Sequence, residues 1–333
     1  MRNRIWMGWV VGALLALGAA GCGGDKTESG TDTVSGANAN ASLSGSIAID
    51  GSGTVFPITN AATEEFMGKH PGVRITVGDS GTGAGMKKFL SGETDICDAS
   101  RPIEDEEVAD AAKAGIEFIE VPIAYDGLSI IVNPANTWVD KLTTEELKRI
   151  WEPGSKVMKW SDVRPGFPDK PIHLFGPSTA HGTFEYFTEA IVEQKKKQRP
   201  DFQQCPEYNQ LVEGVATDEN ALGYVGYAYY EQNKARLKLV PVDSGSGPVA
   251  PSEATIADGT YSPLSRPLFV YVKKSAMARA EVKAFVDYLI GDGRGIIGQT
   301  GYVPFPDALY TKVKEHVDAG TTGRVPELTK LSG

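Results

Sequence analysis

An α/β fold in two lobes, with a ligand cleft between them, is what this sequence predicts, on three observations. From residue 44 onward, short runs rich in β-branched and aromatic residues alternate with amphipathic stretches, the pattern of sheets covered by helices. About 290 residues follow the N-terminal region, long for one core and comfortable for two. Three Gly/Ser/Thr-rich loops stand between a strand and a helix, and open α/β sheets bind ligands where such loops leave the carboxyl ends of strands.

The chain opens on MRNRIWMGWVVGALLALGAAGC, in which Arg2 and Arg4 precede an apolar run from Met7 to Leu17 and small residues end at Cys22. That is an export signal, too short for a membrane span. Cys22 after Ala-Ala-Gly resembles a bacterial lipobox, whose cysteine becomes the lipidated first residue. Ala19 stands where leucine is usual, and an ordinary signal peptide with an incidental cysteine is the alternative. Residues 23–43 lack large apolar groups and read as a flexible tether.

The strand and helix signals then follow in turn: SGSIAID, TNAATEEFMGKH, VRITVGD, GMKKFLSG, TDICDAS, EDEEVADAAKAG and IEFIEVPI. YDGLSIIVNP is an apolar strand closed by Asn-Pro, and Thr143-Thr144-Glu145-Glu146 starts a helix through LKRIW. PIHLFGPSTAHGTFEYFTEAIVEQ is a further βα unit, and ALGYVGYAYY another strand. Its tyrosines Tyr224, Tyr227, Tyr229 and Tyr230 read as packing, not as a ligand box. A Gly/Ser/Pro-rich passage leads to the strand PLFVYV and the helix AEVKAFVDYLIG. The expected division places residues 44–124 and 245–333 in one lobe and 125–244 in the other.

Net charge is −10, and −12 once Arg2 and Arg4 are removed, which argues against nucleic acid as a partner. Cys97 and Cys205 read as two buried thiols, although their spacing leaves pairing open. The four histidines, His70, His173, His181 and His316, lack H-E-x-x-H spacing, so no metal is expected. No catalytic residue and no cofactor are expected either. Ser80 lies in GDSG, yet it stands between a strand and a helix, with Thr82 where a nucleophile elbow needs glycine. Walker and dinucleotide patterns fail at Ala84 and Met86.

The three loops are Gly51-Ser52-Gly53-Thr54-Val55-Phe56, Asp79-Ser80-Gly81-Thr82-Gly83 and Ser178-Thr179-Ala180-His181-Gly182-Thr183-Phe184. Glycine admits close approach, amides at a helix start carry partial positive charge, and small hydroxyls add donors around a compact anion. Three such loops point to oxyanion capture.

These loops resemble those of the phosphate-binding protein (PstS) family of the phosphate-specific ABC transporter. GSGTVFPIT, GDSGTGAGMKKF, DICDASRPI and GPSTAHGTFEYFTEAI carry the resemblance, joined by NALGYVGYAYYEQN and SGSGPVAPSEATIADGTYSPLSRPLFVYV, over residues 45 to 310. It implies a two-lobed, type II periplasmic binding fold, with mixed sheets and helices on both faces, that closes on one dehydrated inorganic phosphate. It also implies a monomer, anchored through Cys22 in the periplasm or at the cell surface, that docks on an ABC permease. Another oxyanion (sulfate, molybdate or a phosphonate), or a sensor or scavenger role, is the alternative. Carried over by position, the ligand-binding residues are Gly53, Thr54, Val55, Phe56, Ser80, Gly81, Ser100, Arg101, Gly182 and Thr183, with His181 added by departure from the pattern. Arg101 is the strong cation so placed, although Glu104 to Glu107 offer it competing carboxylates. Ala180 and His181 stand where the loop usually has Asp-Ser, and His181 is expected either to donate to phosphate or to turn away as a cap. Ser100 stands where one branch has aspartate, leaving Asp79, Asp98 or Asp126 to reject sulfate.

Overall fold

A computed structural model describes residues 43–179 and 181–329. The export signal, Cys22, the tether up to residue 42, and Ala180 lie outside the described residues.

Twelve strands occur among the described residues: β1 Ser44–Gly51, β2 Gly72–Val77, β3 Ile96–Ala99, β4 Phe118–Val132, β5 Leu142–Thr143, β6 His173–Pro177, β7 Gln203–Cys205, β8 Ala221–Gly226, β9 Lys238–Val240, β10 Val242–Asp243, β11 Pro248–Val249 and β12 Ser265–Lys273. The helices that matter for the site are α1 Phe56–Lys69, α2 Thr82–Ser91, α3 Asp105–Lys113, α4 Thr144–Trp151, α5 Gly182–Ala190, α6 Tyr208–Thr217 and α7 Tyr227–Asn233.

The main sheet runs β2-β1-β3-β12-β4-β8-β6-β7, with β9 also on β4. β1 is parallel to β2 and β3, and β6 is parallel to β7 and β8, as βαβ alternation predicts. The centre is different: β12 is antiparallel to β3 and β4, and β4 antiparallel to β8. No crossover helix joins these central pairs, so nothing forces a parallel direction on them. All fifteen residues of β4 are buried, Glu120 and Asp126 among them.

β4 is the shared element. Phe118 to Gly127 pair with β12, and Leu128 to Val132 pair with β8. The chain thus passes from one half of the sheet to the other at Gly127/Leu128 and returns at Ser265, while the 242–249 hairpin joins β5 of the second half. The second half has an aromatic core: Trp151 meets Phe187 and Tyr224 edge-on at 5.5 and 5.0 Å, and Phe187 stacks on Tyr224 at 3.8 Å. Each pair adds about 1 kcal/mol beyond area burial, which fixes α5 and therefore where its first turn points. Cys97 and Cys205 are free and buried. Among the described residues no helix is long and apolar enough to cross a membrane.

Candidate functional site

Because β1 pairs in parallel with both neighbours, the loops leaving β1, β2 and β3 gather at one edge of the sheet. After β1, the Ser52 amide donates to the Asp98 carbonyl at 2.9 Å and turns the chain. The Ser52 carbonyl accepts the amides of Val55 and Phe56 at 3.0 and 2.9 Å, and its hydroxyl accepts that of Thr54 at 3.1 Å. These amides are used within the turn. Pro57 in the first turn of α1 adds no amide and presets a helical φ. The loop therefore offers the Thr54 hydroxyl, beside Gly53, where a Cβ would meet nothing within 4 Å.

In the second loop, Ser80 is exposed and turned toward Asp50, whose Oδ1 accepts both its hydroxyl and its amide. Lys88 holds the other oxygen of Asp50. Burial opposes the charge on Asp50, but Lys88 and Ser80 outweigh it and hold the carboxyl below its usual range. Gly81, at φ 96°, brings its amide to the Gly51 carbonyl at 2.6 Å. The buried hydroxyl belongs to Thr82 instead. Its Oγ1 lies 3.3 Å from the Ser100 hydroxyl and accepts the Ser100 amide at 3.2 Å. Gly85 lets the start of α2 come this close, since a Cβ there would stand 2.4 Å from Gly51 Cα.

Arg101 does not meet Thr54. Its Nη atoms donate to both Glu107 oxygens at 2.9 and 2.8 Å, and its Nε lies 3.1 Å from Glu104. Bidentate geometry ties the guanidinium to the acidic start of α3, the competing carboxylates that the sequence offered it.

The guanidinium at the site is Arg266. It stands directly opposite Asp126 in the β12–β4 register, with its Nε and Nη2 each 3.4 Å from Asp126 Oδ2. Nη2 also donates to Thr54 Oγ1 at 3.2 Å, and the group lies 3.6 Å above the Tyr186 ring of α5. The Thr54 hydroxyl in turn donates to the Gly182 carbonyl at 3.5 Å. Gly182 is pressed against Thr54, and a Cβ there would stand 2.5 Å from Thr54 Cα. Tyr302 donates its hydroxyl to the Thr54 carbonyl. Loops from both halves of the sheet thus converge on Thr54, beside the N-terminus of α5, whose first-turn amide at Glu185 donates back to the His181 carbonyl at 3.2 Å.

Thr183 is buried and its hydroxyl lies 2.5 Å from that of Tyr208. His181 precedes α5 but does not cap it; its Nε2 lies 2.7 Å from the Pro206 carbonyl and its ring packs on Tyr208. Of the three candidate carboxylates, Asp79 is exposed and Asp98 is fully buried behind the first loop. Burial pushes Asp98 up to about 8, against the lowering effect of the Thr59 hydroxyl 2.6 Å away, and its Oδ1 has no partner. Asp126 is the one that meets the guanidinium. Burial raises its pKa, and Arg266 opposes the rise.

Sequence reasoning missed Arg266, Thr82, Tyr208 and Tyr302 as site residues. Asp126 and Arg266 carried a signal, since each is a lone charge within a strand otherwise fit for burial. Among the described residues, no group of three His, Cys, Asp or Glu side chains is placed to hold a metal.

Comparison with known proteins follows the same line. The PBP superfamily domain matches residues 36–293. Protein SphX of Synechocystis sp. is 43% identical, over 97% of this chain and 92% of its own. The phosphate-binding protein PstS of Staphylococcus saprophyticus is 38% identical over 92% of each chain. The crystal structure of a possible phosphate binding protein from Planctomyces limnophilus superposes with a TM-score of 0.81 at 45% identity, covering 84% of this chain and 99% of that one.

Proposed function

This chain belongs to the PBP superfamily and, within it, to the PstS phosphate-binding proteins, and from that membership we propose that it captures inorganic phosphate outside the cytoplasm for an ABC importer. One observation carries the proposal at the level of residues: Thr54 of the first half is met by Gly182 of the second and by Arg266 at the junction. The reading needs such a meeting, because a small tetrahedral anion must be stripped of water by donors arriving from both sides.

In this reading the Thr82, Ser100 and Thr183 hydroxyls, the N-terminus of α5 and the Arg266 guanidinium replace the anion's hydration shell, while Thr54 ties the two halves together. Each hydrogen bond to a charged group contributes about 1.5–3 kcal/mol. Four or five of them sum to about 6–15 kcal/mol, which spans the roughly 8 kcal/mol of a micromolar complex, and bonds near the upper end are needed to offset desolvation of the ion and the ordering of the two halves as well. Greater affinity for the closed arrangement drives closure. No bond is made or broken. The protein is a monomer, held to a membrane by a lipid on Cys22 and a tether through residue 43.

Titration calorimetry of the purified protein with phosphate, sulfate, molybdate and a phosphonate tests the reading, after native mass spectrometry for retained anion. Phosphate is expected to bind at least tenfold more tightly than the others. Equal or tighter binding of sulfate would overturn it, as would turnover of p-nitrophenyl phosphate. Radiolabelled palmitate should enter the wild type and not Cys22→Ala.

A further inference from the structure

We propose that Tyr208 is a positioning residue that fixes the Thr183 hydroxyl as a donor toward the bound anion; this rests on the phosphate-binding reading above. Tyr208 opens α6 and reaches Thr183 in the first turn of α5, oxygen to oxygen at 2.5 Å. Its ring is held on two sides, by His181 at 5.0 Å and by Tyr229 of α7 at 4.5 Å between centroids. Thr183 and Tyr208 both line a small cavity of about 10 Å³, together with Asp126, Tyr302 and Gly301.

The chemistry follows from counting hydrogens. Each hydroxyl has one hydrogen to give, and one bond joins the two oxygens. If Thr183 gives its hydrogen to Tyr208, it can only accept from its other side, and the unprotonated oxygens of the anion have no hydrogen to give it. If Tyr208 gives its hydrogen to Thr183, the Thr183 hydrogen is released toward the anion. Burial and the nearby Asp126 carboxylate keep the phenol protonated well beyond its usual range, so it remains a donor at working pH. The phenol is also the more acidic of the two groups, and a chain of phenol, alcohol and anion strengthens each link. An anion therefore selects the order Tyr208 to Thr183 to ligand, and the fixed ring prepares that order before the ligand arrives.

The test is a double-mutant cycle read by phosphate calorimetry on the full chain, with Tyr208→Phe, Thr183→Val and the pair. Tyr208→Phe keeps the ring contacts and removes only the hydroxyl. Its Kd for inorganic phosphate is expected to rise about 5- to 20-fold in the wild-type background, and less than about 2-fold when Thr183 is already valine. A merely structural role would weaken both backgrounds equally, and that result overturns the proposal. An unchanged Kd in the Tyr208→Phe single variant overturns it as well. Wild-type protein that takes up no phosphate overturns the functional reading, and this proposal with it.

Discussion

Replacing Gly182 by alanine tests whether the Thr54–Gly182 contact belongs to the bound state. In the structure the added Cβ would stand 2.5 Å from Thr54 Cα and 2.9 Å from both its backbone nitrogen and its Oγ1. Ordinary carbon contacts begin near 3.5 Å, so roughly 1 Å must be found. Two of the three obstructing atoms are backbone, and that backbone is fixed by the Ser52 turn and the Tyr302 hydrogen bond, so no rotamer change relieves the clash. Overpacking of this kind costs about 1–3 kcal/mol. An open arrangement separates the two loops and is spared the clash. The whole cost therefore falls on closure, and the phosphate Kd should rise about 5- to 150-fold while ligand-free thermal stability changes little. Calorimetry and a melting curve, each with and without phosphate, give the two numbers. A wild-type Kd would refute the reasoning, because it would mean that the bound state does not use this contact.

The two guanidinium groups are separated by Arg266→Gln and Arg101→Gln: calorimetry should show the first weakening phosphate about 10- to 100-fold and the second by less than about 3-fold. The reverse order would return the anion to Arg101. Asp98 keeps its proton in the folded chain up to about pH 8, whereas the unfolded chain loses it near 4. Between those limits the native state binds more protons, so this contribution to stability is complete at low pH and is lost as pH rises through 8, by at most about 1.4 kcal/mol per unit. Urea unfolding at a series of pH values from 5 to 8 should therefore show Asp98→Asn with a flatter profile than wild type; parallel profiles would contradict the assignment.

The local grammar of the chain was legible because it depends on neighbours in sequence. β-rich runs, helix starts and the strand-loop-helix order of the three glycine loops are written within stretches of ten or twenty residues, and the structure has most of them in those places; ALGYVGYAYY, read as one strand, is instead β8 followed directly by the helix α7, because Gly226 ends the strand and Tyr227 starts the helix. Arg266 was not legible, because its partner Thr54 lies 212 positions away and the two meet only through the order of strands in the sheet. The choice between Ser80 and Thr82 was also out of reach, because two adjacent hydroxyls in one loop differ only in which one the turn at Gly81 buries. Arg101 had a second partner legible close by: Glu104 and Glu107 follow it within six residues, and the structure pairs the guanidinium with both.

The Arg266–Asp126 pair bears on how an anion can be held in a protein of net charge −10. Both contacts between the groups are 3.4 Å, well beyond the 2.7–2.9 Å of a tight charge-assisted bond. The pair is slack, and the guanidinium keeps donors for Thr54 and for a ligand. Its charge is nevertheless largely matched by Asp126, so formal charge cannot hold the anion and oriented dipoles must. Asp126 also sets a condition on the ligand. Two unit negative charges 4 Å apart repel by about 4 kcal/mol at an effective dielectric of 20, enough to cancel two good hydrogen bonds. That repulsion becomes an attraction if a proton lies between the two oxygens, as hydrogen phosphate can supply and sulfate cannot. A buried carboxylate placed beside the guanidinium is therefore expected to weaken the site toward anions in general and to favour those that carry a proton.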